Sequence, residues 1–124
     1  MMTNSYVDPT EQLVVAVLVR DLDRSIEFYS KLGFSLTRTD NGFAELRWES
    51  HALFLSEQPD LPPPPEVPRS NLRVMVPDVD RYWTLAREMA IPIPEPISDR
   101  SYGLRDFTLV DPDGFGIRFA SPIS

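Results

Sequence analysis

The octapeptide VLVRDLDR at positions 17–24 returns 57 positions later as VMVPDVDR at positions 74–81. Seven of the eight positions are identical or exchange one apolar residue for another, and both copies keep an Asp-x-Asp-Arg motif. In each copy the β-branched apolar run predicts a buried strand, and the first Asp is placed to cap a helix that follows. The repeat therefore predicts two copies of one strand–helix module.

An amphipathic helix is predicted after each copy. The first runs from about Leu22 to Leu32 and stops at Gly33, the residue type that commonly ends helices. The second runs from about Val79 to Met89, and Pro92 prevents its continuation.

After each helix the apolar pattern changes to the two-residue period of strands. The predicted strands are Phe34–Arg38, Phe43–Trp48 and His51–Glu57 in the first half, and Pro92–Ile97, Leu104–Val110 and Phe115–Ala120 in the second. Asn41-Gly42 and the Asp111–Gly114 segment supply tight turns.

These elements predict an α+β fold in one domain, residues 1–124. It comprises two βαβββ modules, residues 13–57 and 70–121, joined by a proline-rich linker at 58–69 that contains four consecutive prolines. Each module has an open sheet with one face on its helix. If the sheets curve, their second faces enclose a cleft in which a small molecule can bind.

Composition excludes several classes of protein. The 124 residues include one His and no Cys, so thiol nucleophiles and thiolate metal sites are excluded. The net charge of −7 repels nucleic acid and attracts cations. The longest apolar run has seven residues, Leu13 to Val19, whereas a membrane-spanning helix needs about 20. No signal sequence is apparent, and we expect a cytoplasmic protein.

The segment Val19–Phe34, which follows the first strand, resembles the opening of the vicinal-oxygen-chelate superfamily, and Asp111–Phe119 resembles its end. This superfamily comprises glyoxalases, bleomycin resistance proteins and dioxygenases. The resemblance covers nearly all of Leu13 to Ala120 and implies paired βαβββ modules whose curved mixed sheets enclose a cleft. It leaves the chemistry open, because the superfamily contains both metal-dependent enzymes and metal-free proteins that bind drugs.

The positions that match the metal ligands of the superfamily favour the metal-free branch. They are occupied here by Val14, Asn71, Arg118 and, in our best placement, Phe54. Valine and phenylalanine cannot coordinate a metal, and the guanidinium would repel one. We therefore expect no metal, no cofactor and no catalytic residues.

The resemblance is closest to metal-free bleomycin resistance proteins. It implies a homodimer that binds and sequesters a bleomycin-type antibiotic in a cleft built from both chains. It also implies an N-terminal arm, here Tyr6–Pro9, that crosses to the partner with Pro9 as a hinge. From the charge and the aromatic residues, the ligand is expected to be a cationic or planar small molecule, and neither nucleic acid nor a membrane is an expected partner.

Strand alternation selects candidate ligand-binding residues in the predicted cleft. Alternation places Arg73 and Arg118 on one concave face. Two arginines there require either an acidic partner, for which Glu45 is a candidate, or an anionic ligand. Phe43 and Phe54 are candidates for stacking on a flat ligand, and Trp48 for a role in a pocket or dimer. The candidates are Phe43, Glu45, Trp48, Phe54, Asn71, Arg73, Met75 and Arg118.

Two other functions stay open. One is a divalent-metal-dependent lyase, isomerase or dioxygenase of the same superfamily, with Glu45, Glu57, His51 or Asn71 as metal donors. The other is a module that senses a metabolite or binds a protein.

Overall fold

The computed structural model describes residues 6–123. The helices are α1 (Leu22–Leu32) and α2 (Val79–Glu88). The strands are β1 (Val15–Val19), β2 (Ser35–Asp40), β3 (Phe43–Trp48), β4 (His51–Glu57), β5 (Asn71–Met75), β6 (Glu95–Asp99), β7 (Leu104–Val110) and β8 (Gly116–Pro122). A short 3-10 turn, Pro9–Glu11, precedes β1.

The strands form two separate four-stranded sheets. The first has the order β1-β4-β3-β2, with β1 parallel to β4 and the other pairs antiparallel. The second repeats this arrangement as β5-β8-β7-β6, with β5 parallel to β8. The chain divides into two compact units between Leu61 and Pro62. The predicted α+β class, with two βαβββ modules, is confirmed.

Helix α1 has the bounds that the sequence predicts. Asp21 begins it, because its Oδ1 accepts a hydrogen bond from the Arg24 N–H at 3.1 Å. Gly33 ends it with a φ of 122°, a conformation that favours glycine. The N–H of Phe34 donates to the Tyr29 carbonyl, so Phe34 still belongs to the end of the helix. The next strand therefore starts at Ser35, one residue later than predicted.

Helix α2 begins differently, and here the predicted cap is wrong. The Asp78 side chain makes no capping hydrogen bond within the described chain. Instead the Val79 N–H donates to Oγ of Ser121, which is buried and in turn donates to the Val76 carbonyl, both at 2.8 Å. A residue of β8 thus replaces the local cap. The helix ends at Glu88, and Met89 is its C-cap.

The core of the first unit lies between α1 and one face of its sheet. The buried side chains on that face are Val17, Val19, Ala44, Leu46, Leu53 and Leu55. Tyr29 and Leu32 of α1 are fully buried against them. Each large apolar side chain that is buried stabilises the fold by roughly 1.5–3 kcal/mol.

The second unit is built in the same way, with a more aromatic core. Tyr82 of α2 stacks on Phe119 with ring centroids 4.7 Å apart, and Trp83 meets Phe107 edge-on at 5.4 Å. Phe107 and Phe119 are fully buried. The sixth strand spans Glu95–Asp99 and starts three residues later than predicted. Pro92 and Pro94, which precede it, have no N–H to donate to a neighbouring strand.

The proline-rich segment contacts the last turn of the second unit. Gly114 has a φ of 90°, and a Cβ built there would collide with the ring of Pro64. The predicted turn at Asp111–Gly114 is confirmed, and Oδ1 of Asp111 accepts hydrogen bonds from the N–H groups of Asp113 and Phe115. The helix of each described unit lies against one face of its sheet, and on the opposite face of the second sheet Asp106, Thr108 and Ala120 are also buried.

Candidate functional site

The sheet faces that lie opposite the helices carry most of the candidate residues. On β3, burial alternates so that Ala44 and Leu46 face α1 while Phe43, Glu45 and Arg47 face away. Cross-strand pairs share a face, which adds residues from the neighbouring strands. We define the first open face as Ala16, Leu18, Arg38, Phe43, Glu45, Arg47, Ala52, Phe54 and Ser56. The second open face comprises Asn71, Arg73, Met75, Glu95, Ser98, Asp106, Thr108, Gly116, Arg118 and Ala120.

An aromatic pair forms the apolar part of the first open face. The rings of Phe43 and Phe54 meet edge to face, with centroids 5.1 Å apart and an interplanar angle of 63°. The Arg38 guanidinium lies 5.0 Å from the Phe43 centroid. Both rings are only partly buried, so this pair can offer a ring surface to a flat ligand.

Glu45 lies beside this pair and is held by two arginines of its own sheet. Its carboxylate is 2.9 Å from Arg47 and 3.1 Å from Arg38, and it accepts a hydrogen bond from the Thr37 hydroxyl at 3.1 Å. These contacts, the bond from Arg47 above all, hold the pKa of Glu45 below its ordinary value. Arg118 lies 3.5 Å from the carboxylate of Asp106, and its suggested pairing with Glu45 stays a prediction.

Trp48 lies on the opposite face of the first sheet from Phe43, Glu45 and Phe54. Its ring meets Phe34 at a centroid distance of 5.0 Å and covers Gly33 at the end of α1. A side chain on Gly33 would clash with this ring, since a Cβ there would be 3.0 Å from it. Trp48 therefore packs on the end of the helix, and the structure does not bring it together with the other candidates.

The second open face brings Asn71, Arg73, Met75 and Arg118 together. Arg73 and Arg118 are register partners on the parallel strands β5 and β8, so two positive charges lie side by side. Arg73 is exposed, and no ion pair forms between it and a carboxylate of residues 6–123. Met75 is 41% exposed. This face combines exposed apolar and cationic groups.

Asp106 is the centre of the polar network on this face. It is 1% exposed, and its Oδ1 accepts a hydrogen bond from Arg100 Nε at 2.7 Å. Its Oδ2 accepts one from the Tyr102 hydroxyl at 2.7 Å and lies 3.5 Å from Arg118. The bond to Asp106 raises the pKa of Tyr102, because the carboxylate favours the protonated phenol.

The network of Arg100, Tyr102 and Asp106 was not among the residues that sequence analysis selected. The available signal was a carboxylate within the strand Leu104–Val110, which is otherwise mainly apolar. A charge at such a position needs a partner when it is buried. The sequence did not show which residue pairs with Asp106, because Arg100 and Arg118 lie on either side of Asp106 in the chain.

The proposed metal donors are engaged elsewhere or lie apart. Glu45 binds arginines, and Glu57 accepts a hydrogen bond from the Leu22 N–H at the start of α1. His51 is exposed at the end of β4. No group of three or more His, Asp or Glu in residues 6–123 is arranged to hold a metal ion.

A further pocket of about 280 Å³ lies on the helix side of the second unit. It is lined by Asp78 and Asp80 at the start of α2, and by Asp99, Arg105 and Ser121 of the sheet. Arg105 spans the pocket, 3.0 Å from Asp80 and 3.1 Å from Asp99. None of the residues selected from the sequence lies here.

The N-terminal segment contacts its own unit in the single chain. The Asp8 carboxylate accepts hydrogen bonds from the Thr10 hydroxyl and from the Thr10 N–H, the second of which caps the turn Pro9–Glu11, and these two bonds lower the pKa of Asp8. Glu11 lies 3.3 Å from Arg47 of β3. The predicted crossing of Tyr6–Pro9 to a partner chain stays a prediction.

The repeated βαβββ topology defines a protein that is built from two copies of one module. The model of the Glyoxalase/Bleomycin resistance protein/Dioxygenase superfamily matches residues 12–119. The chain belongs to this superfamily, as its resemblance predicts. A search among curated proteins finds no significant match.

Solved structures share the fold over nearly the whole chain. A glyoxalase/dioxygenase from Nostoc punctiforme has a TM-score of 0.78 and 23% identity, covering 99% of this chain and all of its own (100%). A bleomycin resistance determinant encoded on the transposon Tn5 has a TM-score of 0.75 and 22% identity, covering 92% and 99%. A bleomycin-binding protein in complex with bleomycin has a TM-score of 0.71 and 22% identity, covering 91% and 99%. At these identities the likeness shows the fold.

None of the helices in residues 6–123 is long and apolar enough to cross a membrane.

Proposed function

We propose that this protein binds a planar small molecule without converting it, and that a bleomycin-type antibiotic is the ligand it sequesters. The observation that carries the proposal is the Phe43–Phe54 pair on the first open face, with its centroids 5.1 Å apart. Partly exposed rings on a sheet face favour stacking on flat groups. The structural likeness to a protein that binds bleomycin supports this choice of ligand.

The residues at the positions that match metal ligands favour binding without catalysis. The position that would supply the last ligand is Arg118, which lies 3.5 Å from Asp106 and cannot donate an electron pair to a metal. Val14 and Phe54 offer no donor atom either. A protein of this kind would act by affinity and concentration, and it would remove free drug without turnover.

The local charges favour the planar part of the ligand over its cationic part as the main recognition feature. Glu45 is already neutralised by Arg38 and Arg47, so it has little remaining attraction for a cation. The net charge of −7 would still draw a cationic drug toward the protein over a longer range, and added salt would weaken that effect.

We further propose that the protein acts as a homodimer in the cytoplasm. Leu18 and Met75 are 46% and 41% exposed in the single chain, and both lie on open faces that a partner could cover. Light scattering on the purified protein gives the mass that decides between monomer and dimer.

The test is a calorimetric titration with bleomycin of metal-analysed protein, in wild type and in a Phe43→Leu/Phe54→Leu double variant. Leucine keeps apolar volume but removes the rings, so we expect the affinity to fall about tenfold. Phe28→Leu is the matched control, because Phe28 lies on α1 against Tyr29, and its affinity should stay within about twofold of wild type.

Equal binding by the double variant and the wild type would contradict the role of the aromatic pair. Stoichiometric metal in the purified protein would instead favour a lyase, isomerase or dioxygenase. If neither drug nor metal binds, sequestration of bleomycin is excluded, and a metabolite sensor or protein-binding module becomes the better hypothesis.

A further inference from the structure

The four consecutive prolines at Pro62–Pro65, which we call the proline run, take no part in the ligand site proposed above. They lie in neither a helix, a strand nor a turn, and all four are exposed. Proline fixes its own φ at about −65° and disfavours the helical conformation in the residue before it. Pro62, Pro63 and Pro64 each precede another proline, so the run is held in the polyproline II conformation.

The geometry of this conformation leaves two of its three edges accessible. Polyproline II has about three residues per turn, so Pro62 and Pro65 share one edge, while Pro63 and Pro64 lie on the other two. Pro64 packs on Gly114 of the same unit, where an added Cβ would collide with its ring. The edge of Pro62 and Pro65 and the edge of Pro63 therefore point away from that turn, and their prolines are exposed.

The proline run is already rigid before a partner binds. A flexible segment loses conformational entropy when a partner orders it, and the fixed φ angles of prolines reduce this loss. The contact between Pro64 and Gly114 restricts the segment further. An exposed and preformed polyproline II segment is the form that the aromatic-lined grooves of several peptide-binding domains recognise.

The residues that follow the run add a negative charge and apolar surface. Glu66 is exposed, and its carboxylate forms no ion pair with any residue among 6–123. Val67 is 69% exposed. An unpaired carboxylate beside an apolar segment favours a groove with a basic rim, because opposite charges across an interface fix the orientation of the partners.

We propose that the proline run is a docking segment for a protein domain that binds polyproline II in an aromatic-lined groove with basic residues at its rim. The aromatic rings would pack on the exposed edges of Pro62, Pro63 and Pro65. The basic residues would pair with Glu66. The proposal is independent of small-molecule binding, because none of these residues belongs to either open face.

The test is a calorimetric titration of the full chain with a purified WW domain that binds proline runs and carries arginine beside its groove. We expect saturable binding by the wild type. The Pro63→Ala/Pro65→Ala double variant should bind about tenfold more weakly, because it removes a ring from each exposed edge. Pro92→Ala/Pro94→Ala is the matched control, since both prolines are exposed but lie outside the run, and its affinity should stay within about twofold of wild type.

A second pair of variants tests the basic rim. Glu66→Lys should weaken binding at least about threefold, because it places two positive charges opposite each other. Glu88→Lys makes the same change in net charge at the exposed end of α2, and its affinity should stay within about twofold of wild type. NMR spectra of the ¹⁵N-labelled WW domain should show shifts of the tryptophan indole N–H in its groove.

Absence of saturable binding by the wild type would overturn the proposal, and so would binding that leaves the indole signal unmoved. Full affinity in Pro63→Ala/Pro65→Ala, or an equal loss in Pro92→Ala/Pro94→Ala, would overturn the assignment to the proline run. Equal affinities of the two lysine variants would overturn the contact with a basic rim. Circular dichroism reports whether each variant is folded, and the bleomycin titration judges the proposed function separately.

Discussion

At the scale of single residues, Asp106 determines the polar structure of the second open face. It is 1% exposed and contacts Arg100, Tyr102 and Arg118. Burying a carboxylate is unfavourable unless charged partners compensate for the lost hydration, and here two arginines do so. Removing its charge would leave both guanidinium groups with a weaker partner.

Asp106→Asn should lower the free energy of unfolding by about 2–3 kcal/mol. The loss stays below that of a fully buried pair because Arg100 and Arg118 are 26% and 28% exposed. Urea denaturation measures this loss as a lower urea concentration at the midpoint, while the dependence of the unfolding free energy on urea stays unchanged. Asp99→Asn is the control, with an expected loss below about 1 kcal/mol, since Asp99 is 62% exposed in its pair with Arg105. Equal losses in both variants would contradict the central role of Asp106.

At the scale of elements, the two helices begin in different ways although their sequences repeat. The Asp21 side chain caps α1 within its own segment. The corresponding Asp78 does not, and Ser121 of β8 accepts the Val79 N–H at 2.8 Å instead. The start of α2 is therefore tied to its sheet by a side chain from 42 residues further along the chain.

Ser121→Ala should destabilise the protein by about 1–2 kcal/mol, because the Val79 N–H and the Val76 carbonyl would both lose a buried partner. Asp78→Ala should cost at most about 0.5 kcal/mol, since its carboxylate contributes only through the helix dipole. Chemical denaturation of the two variants and of the wild type measures which variant loses more stability. A larger loss in Asp78→Ala would show that the local cap does form in solution.

At the scale of the whole molecule, ion pairs make stability depend on pH in acid. Contacts with arginines lower the pKa of Glu45 from 4.5 and that of Asp80 from 3.8. A carboxylate with a lowered pKa in the folded state stabilises the fold above its unfolded pKa. That contribution is lost as the pH falls through the folded pKa.

The free energy of unfolding should therefore be nearly constant just above pH 5 and fall as the pH is lowered below about 4.5. Glu45→Gln should be less stable than wild type at neutral pH, and the difference should shrink in acid. Denaturation curves at a series of pH values measure both effects. Parallel pH profiles for the two proteins would show that Glu45 contributes no pH-dependent stability.

Much of the candidate site follows from strand alternation, which is a local property. Phe43, Glu45 and Phe54 lie on one face because β3 and β4 alternate and pair in register. Arg73, Met75 and Arg118 share a face for the same reason. The surroundings of Trp48 do not follow from the sequence, because its position at the end of a strand does not show that it packs against the Phe34 ring and Gly33.

The sequence by itself determined the repeat, the α+β class, the bounds of α1 and the Asp111 turn, because each depends on periodicity or on contacts within a few residues. Only the tertiary structure decided that Ser121 caps α2 and that Asp106 pairs with Arg118. These contacts join residues distant in the chain, or side chains whose bonding depends on the packed surroundings. Their partners are therefore fixed only when the sheets form.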